Sequence, residues 1–538
     1  MEVQNNSIEF DKEYELLPQI NFRIPGLSIP IGFEMASYTR KNHDIAIQQL
    51  SVQVREFYAS KTPFRINHGS TNSTRIRAAG TPELKIAHLN HVLFIDPSSR
   101  IAIVEPNVPV DAPVAATLPM GFLPPVVMEF PGITVGGGFS GASGESSSWR
   151  EGMFDCGIKS IKIILGNREI ILAEKDGENA NLFTMACCSL GTLGVVTLLT
   201  VNLIEAKPYV QTTYHRTSSI TETIEKTAFF CESEYAKKTE PGRGDMDFIE
   251  AIQYTPSVGV IITGKFASRP HTSILPITRF DRAHDPWFYK HALSSPDAHT
   301  ELIPTTSYLF RHDRGAFWSG ETFFDYFRLP NARFWRWLFN PALTTRAIYT
   351  SQAAAGGPET NIVQDLLLPV NSAVAFANYV ADELAIWPVR ICPVRRKAED
   401  VWGWPVWKHI DAAAGEQAPP SKAKDELVLN FGVWGQGPAD PVAFRAVNRS
   451  LEERLRELRG TKVLYVFSFY TEDEFWGLCD RKVYEEARRK WHAEALPSVY
   501  EKVRREPRGV VGGKNGLGEK VLWWVLGIWP IGGILMSL

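Results

Sequence analysis

Apolar residues recur at helical spacing through Ile45, Leu50, Val54 and Phe57, which predicts a helix over 44–58. From Phe64 the period shortens. "FRINHGSTNSTR" reads as a strand running into a Gly/Ser/Asn loop. "HVLFIDPSSRIAIVEPNVPV" places two apolar runs around Asp-Pro-Ser-Ser, a hairpin. The stretch from "IKSIKIILGNREIILAE" to "GVVTLLTVNLI" predicts strand, Gly-Asn turn, strand, short helix, Gly turn and strand. After Pro208 the patterns mix. "DFIEAIQYTPSVGVIITGKF" is a hairpin turning at 256–259, "NRSLEERLRELRGTKVLYVF" a helix then a strand, and "VYEEARRKWHAEALPSVYEKVR" two helical pieces. No repeat and no low-complexity tract interrupts this order. The expected fold class is α+β. Its expected divisions are an N-terminal segment 1–60, a β-rich unit 61–208, a mixed unit 209–470, C-terminal helices 471–510, and a separate tail 521–538.

The densest glycine in the chain is "TVGGGFSGASGESSS", residues 134–148. Gly136, Gly138 and Gly141 satisfy the G-x-G-x-x-G spacing of a dinucleotide-binding turn. That turn needs a strand before it, a helix opening at the third glycine and an acid at the end of a second apolar strand. Here Pro131 and Gly132 precede it, Gly141-Ala-Ser-Gly144 follows, and Asp155 ends no apolar run. The context rejects the motif. Glycine and serine in succession can instead form backbone nests that hold an anion. A second such loop, "NHGSTNSTR" at 67–75, would make the opposite jaw around a diphosphate.

Composition narrows the classes. A chain of 538 residues exceeds one core and implies two or three domains. A net charge of −3 gives no electrostatic case for nucleic acid. Six cysteines without a C-x-x-C pair point to free thiols in a reducing compartment. The 12 histidines are scattered, and His88 and His91 lack partners in sequence, so no metal is expected. The N-terminus is polar and acidic, without a secretory pattern. The last eighteen residues, "VLWWVLGIWPIGGILMSL", carry no charge and follow Arg504, Arg505, Arg508, Lys514 and Lys520. They read as a tail anchor with the preceding chain on the cytosolic side; an interfacial segment or an element buried in the protein are the alternatives.

The 64–208 segment resembles the FAD-binding domain of the vanillyl-alcohol oxidase/p-cresol methylhydroxylase superfamily. Its landmarks are Val104-Glu105-Pro106, "TVGG" at 134–137 and "NANLFTMACCSLGTLGVVT". Further blocks resemble the Δ24-sterol reductase family: "GESSSWREGMF", "DPWFYKH", "YLFRHDRGAFW", "VQDLLLPV" and "YTEDEFWGLCD". Together they run over about residues 60–505. The resemblance implies a two-lobed FAD-binding domain plus an α+β cap that holds substrate, with the C-terminal helices 471–510 returning to the FAD-binding domain.

It also implies that Asn67, Gly69, Ser70, Asn72, Ser73, Thr134, Val135, Gly136, Gly137, Gly138, Ser140, Gly141, Gly144, Glu145, Ser146, Gly191, Thr192 and Gly194 surround FAD. Many superfamily members attach FAD through a histidine in G-S-x-H-S. This chain has Asn72 in that slot, so non-covalent FAD is expected, with His68 a misplaced alternative.

The reaction implied is reduction of an isolated C=C in a sterol or terpenoid side chain, with NADPH as co-substrate. Oxidation of an alcohol or C–C bond on the same fold is the alternative, and sterol binding without turnover a third reading. The proton donor is sought among Arg311, His312, Tyr308 and Glu145, with Lys265, Arg390 and Tyr470 weaker candidates. The tail and the resemblance imply the cytosolic face of the endoplasmic reticulum membrane, or a cytosolic protein peripherally bound to it. The family's usual N-terminal membrane segment has no counterpart in this sequence.

Overall fold

A computed structural model describes residues 40–69, 80–237, 246–268, 274–354, 361–396 and 425–505; the side chains of 350–354 are not described. The tail 521–538 and the loop residues Ser70, Asn72 and Ser73 lie outside the described residues. Among the described residues no helix is long and apolar enough to cross a membrane.

The strands are β1 Arg65–Asn67, β2 Glu83–Lys85, β3 Val92–Asp96, β4 Ile101–Val104, β5 Phe122–Leu123, β6 Ile158–Ile164, β7 Ile170–Glu174, β8 Val195–Asn202 and β9 Ile204–Glu205. They continue as β10 Tyr209–Thr217, β11 Phe248–Thr255, β12 Val258–Ala267, β13 Thr300–Pro304, β14 Asn361–Pro369, β15 Val389–Arg396, β16 Glu426–Gln436 and β17 Thr461–Lys462. Two sheets dominate. One has the order β3-β4-β8-β6-β7, the other β13-β10-β12-β11-β15-β16-β14-β17. Every pairing within both is antiparallel. An antiparallel sheet has none of the parallel crossovers of a dinucleotide fold, so the rejection of the G-x-G-x-x-G reading stands. The small pair β1–β2 is parallel.

The hairpins β3–β4 and β11–β12 and the order β6, β7, short helix Ala180–Ala186, β8 follow the sequence pattern. The first helix is Arg40–Ala59. It is tied down by Glu105, whose buried carboxylate faces His43 Nδ1 at 2.7 Å and accepts the His91 backbone N–H at 2.9 Å.

The large sheet is buried on both faces, and period-two alternation assigns its residues. Ile249, Ala251 and Ile391 pack into one core with Ile220, Phe376 and Leu451. The opposite face turns Phe248, Ile252 and Val394 into the core that also holds Phe139, Phe154 and Leu182 of the first lobe. Glu250 on β11 and Arg390 on β15 share that second face. Arg390 stands opposite Ile252, two positions along from Glu250, so the two side chains are diagonal neighbours. The seam between the two sheets therefore contains charge.

Candidate active site at the seam of the two sheets

The glycine segment differs from expectation. It forms a short helix, Val135–Gly141, where loose nests were expected. Thr134 is its N-cap, extended, with Oγ1 accepting the Gly137 N–H at 3.1 Å. The Val135 N–H donates to Val108 O at 2.9 Å, Gly136 to Pro106 O at 2.8 Å and Gly138 to Thr134 O at 2.8 Å. These four donors are spent inside the protein. Two glycines are required by packing. A methyl on Gly136 would come within 2.8 Å of Pro106, and one on Gly138 within 2.7 Å of Met128 and 2.9 Å of Phe154. The physical reason for the correction is a good cap plus close contact, which together outweigh the poor helix propensity of four glycines.

The C-terminal end of this helix is different. A methyl on Gly141 would meet nothing within 4 Å. Ala142, Cys188, Leu190 and Gly191 around it hold left-handed backbone. Leu190 N–H donates to Ser140 O at 2.9 Å, and Cys188 N–H to Phe139 O at 3.1 Å. A methyl on Gly191 would lie 3.4 Å from Ile66 of β1, and Gly69 folds back with its N–H on Asn67 Oδ1 at 2.9 Å. Three distant stretches thus converge on open space beside uncharged backbone and Ser140. Such a lining fits the diphosphate of FAD. Thr192 is a strut here: it donates to Ser189 O at 2.9 Å and accepts from the Tyr484 hydroxyl at 2.8 Å. Gly194 packs on Ile163.

The "GESSSW" segment rivets the lobes together. Ser146 O accepts the Ile249 N–H of β11 at 2.8 Å. Ser148 Oγ accepts the Glu145 N–H at 2.9 Å, and Ser147 Oγ donates to Pro125 O at 2.9 Å. Trp149 is buried, its Nε1 donating to Asp247 O at 3.3 Å. Gly144 stands in ordinary contact with Val394.

Glu145 is carried by this segment into a buried ionic cluster. Arg390 donates to Glu145 Oε1 at 2.5 Å and to Glu250 Oε2 at 2.9 Å, and Nη1 lies 3.4 Å from Glu129. Arg311 donates to Glu250 Oε1 at 2.6 Å, to Ser146 Oγ at 3.2 Å and to Glu145 Oε2 at 3.4 Å. Its guanidinium lies over the Tyr308 ring at 4.2 Å, and it donates to the Tyr308 carbonyl at 2.7 Å. His312 Nε2 faces Glu250 at 3.2 Å while its ring stacks on Phe317 at 4.0 Å. The structure therefore brings together Glu145, Arg311, His312 and Tyr308.

Electrostatics sort the roles. Burial alone would raise Glu145, but Arg390 and Arg311 outweigh it and hold the carboxyl below its ordinary value. Against the same burial, Arg311, His312 and Arg390 hold Glu250 well below. Both stay ionised. Burial pushes Glu129 up to about 7 despite the pull of Arg390. Burial pushes His312 down to about 4 despite Glu250. His312 is then a neutral ring near pH 7, and its buried Nδ1 has no hydrogen-bond partner among the described residues. That argues against His312 as an imidazolium acid. The Tyr308 hydroxyl is raised by burial. Three carboxyls face two guanidiniums, and Glu129, the one that burial raises, has the most open side chain at 14 %.

A narrow crevice of about 10 Å³, room for about one water, adjoins the cluster, with Val127, Phe248 and Phe266 as apolar wall and Glu145, Ser146 and Arg311 as polar wall. Lys265 lies exposed on β12, and Tyr470 is buried with its hydroxyl 3.4 Å from Glu452 O; neither joins the cluster. Two groups of potential metal ligands come together, Glu145–Glu250–His312 and His291–His299–Glu301. Arg311 and Arg390 already supply the positive charge of the first. In the second, Glu301 accepts from the Tyr214 hydroxyl at 2.6 Å and faces His291 Nε2 at 2.8 Å.

Glu129 and Glu250 escaped the reading of the sequence, and Arg390 entered it only weakly. Each was visible as one charge in an apolar run: "VVMEFPG", "FIEAI" and "WPVRICPV". Buried charges of this kind are paired or functional.

Residues 46–173 match the family described as FAD binding domain. The chain is similar to the Delta(24)-sterol reductase of Homo sapiens, 25% identical over 490 residues that cover 89% of each chain. It is also similar to the enzymes of that name from Pisum sativum (27% over 444 residues, 79% of this chain and 76% of the relative) and Arabidopsis thaliana (26% over 445 residues, with the same shares).

Proposed function

We propose, from an FAD-binding domain joined to a sterol-reductase-like cap, that the chain reduces a C=C bond in the side chain of a sterol or related terpenoid. It is an FAD-dependent oxidoreductase. NADPH is the proposed electron donor. The observation that carries the reading is the seam, where a narrow apolar crevice meets buried charge. It lies between the lobe that holds the FAD-binding residues and the large sheet, is apolar on one side, and ends at a buried ionic cluster on the other.

When bound, FAD supplies hydride transfer. The convergence of 66–69, 140–144 and 188–191 would hold it, without a covalent bond, since Asn72 offers no nucleophile. Phe248, Phe266 and Val127 keep water from an apolar substrate. Arg311 and Arg390 fix Glu145 and Glu250 as anions. Glu129 is the group that keeps an exchangeable proton near neutrality, and we assign it the protonation of the alkene carbon. Arg311, Tyr308 and Glu145, and with them His312, then position the cluster. The remaining FAD contacts named from the sequence, the domain boundaries at 208 and 470, and attachment to the endoplasmic reticulum membrane through 521–538 belong to the same proposal.

The test is anaerobic mixing of the holoprotein with NADPH, followed by mass analysis of products from a sterol carrying a side-chain double bond. Bleaching of the flavin and a product heavier by one H2 are expected. No bleaching by NADPH, with bleaching by an alcohol and recovery in oxygen, would replace the reading with an oxidase.

A further inference from the structure

The segment 321–339 presents more exposed aromatic surface than any comparable stretch among the described residues. Tyr326 is 49%, Phe327 38%, Phe334 58% and Trp337 56% exposed. The helix Arg333–Phe339 has no buried residue, although its sequence is "RFWRWLF". A helix of that composition, left to water, is expected to be covered by something. The rings support one another at the surface: Phe334 lies 5.1 Å from Trp335, Trp335 stacks on Phe339 at 5.9 Å, and Tyr326 meets Phe327 at 5.0 Å.

The charges around these rings are unequal. Arg328 and Arg333 are exposed, against the single exposed acid Asp325. Arg336 is spoken for, donating to Asn331 Oδ1 at 3.0 Å and to His284 O at 3.2 Å. Trp, Tyr and Phe interleaved with arginine is the composition that settles at a lipid headgroup layer, where rings enter the acyl boundary and guanidiniums pair with phosphates.

The patch is also continuous with the interior. Phe339 touches Phe323 at 4.9 Å, Phe323 touches Phe324 at 5.6 Å, and Phe324 touches Trp287 at 5.5 Å. Ring contacts continue through Trp318 and Trp434 to Phe317, which stacks on His312 of the ionic cluster. An apolar path of rings thus links the exposed helix to the seam.

We infer that the aromatic segment 321–339 docks on an anionic lipid surface, with Phe334 and Trp337 entering the headgroup layer and Arg328 and Arg333 pairing with its phosphates. This contact lies within the described residues and is separate from the tail 521–538. That it serves to admit substrate rests on the proposed function; the contact itself does not.

Hydrogen–deuterium exchange of the full holoprotein, with and without vesicles of phosphatidylcholine and phosphatidylserine, tests it locally. Exchange over 321–339 should slow when vesicles are added. The slowing should be lost in Phe334→Glu/Trp337→Glu, whose circular dichroism and bound flavin stay unchanged. Neutralisation of one arginine, as in Arg333→Gln, should weaken that protection about fivefold on anionic vesicles, the equivalent of ~1 kcal/mol per basic residue. Three results overturn the inference: co-flotation with vesicles but no slowing at 321–339, no association at all, or exchange already slow before vesicles are added, which would mean that protein covers the patch. Turnover is not the readout, so failure of the proposed reaction would leave these outcomes interpretable.

Discussion

Glu129 and His312 are two side chains whose protonation burial reverses. Glu129 has its pKa raised from 4.5 to about 7, and His312 has its lowered from 6.5 to about 4. For the acid, the contribution to stability is complete below pH 4.5 and is lost as pH rises through about 7. For the histidine it is complete above 6.5 and is lost as pH falls through about 4. The two slopes oppose each other between 4.5 and 6.5. Glu129→Gln should uncover the histidine slope, with the melting temperature falling as pH drops from 6.5 to 4. His312→Asn should uncover the other, with a fall as pH rises from 4.5 to 7. Glu129→Gln should also lower the rate of alkene reduction by about 10²–10⁴-fold without loss of bound flavin. If its rate is unchanged, the proton comes from elsewhere. Glu250 behaves differently because it neutralises two guanidiniums. Glu250→Ala leaves two buried guanidiniums to Glu145 and Glu129 and is expected to cost ~3–5 kcal/mol in denaturant titration. None of these roles can be read from residue type. A lone carboxyl in an apolar run announces burial, but only the register of β11 against β15 shows which charge it meets.

The helix Val135–Gly141 separates two uses of glycine that the sequence writes identically. Gly138 has no room, and Gly141 has open space. Gly138→Ala is expected to cost ~1–3 kcal/mol by overpacking against Met128 and Phe154. Gly141→Ala should leave the melting temperature of the flavin-free protein unchanged or slightly raised, since alanine is the better helix former by up to ~1 kcal/mol. If Gly141→Ala also weakens flavin retention, measured by equilibrium dialysis, the space at Gly141 belongs to the ligand; undiminished retention would move the FAD elsewhere. Hairpins such as β3–β4 and β11–β12 were legible because their turns and alternation are local. The helix was not, because its cap and its close contacts with Pro106, Met128 and Phe154 are made by tertiary structure. The strand expected after the helix Pro441–Glu457 shrinks to β17, since residues beyond Lys462 leave the sheet edge.

At the scale of the molecule, one sheet belongs to the lobe that matches an FAD binding domain, the other carries Glu250 and Arg390 of the charge cluster, and "GESSSW" joins them. The two-sheet plan was foreshadowed by the change of pattern at Pro208. The return of the chain's end to its first third was carried only by the resemblance, since no periodicity links residues nearly 300 positions apart. That return is concrete: the Tyr484 hydroxyl bonds Thr192, Arg488 Nη1 donates to the Thr192 carbonyl at 3.2 Å, and Lys502 Nζ donates to Leu190 O at 2.6 Å. Ending the chain after residue 470 removes all three. Such a truncation is expected to be purified without flavin, even where circular dichroism shows both sheets formed. The same three bonds set a timetable. Synthesis runs from the N-terminus, and Lys502 emerges from the ribosome some three hundred residues after the Leu190 carbonyl it must meet. The lobe that receives the cofactor is therefore made well before it is completed. A nascent chain cannot form these three bonds until residue 502 has been translated, and a chain arrested before that point is expected to lack its redox group.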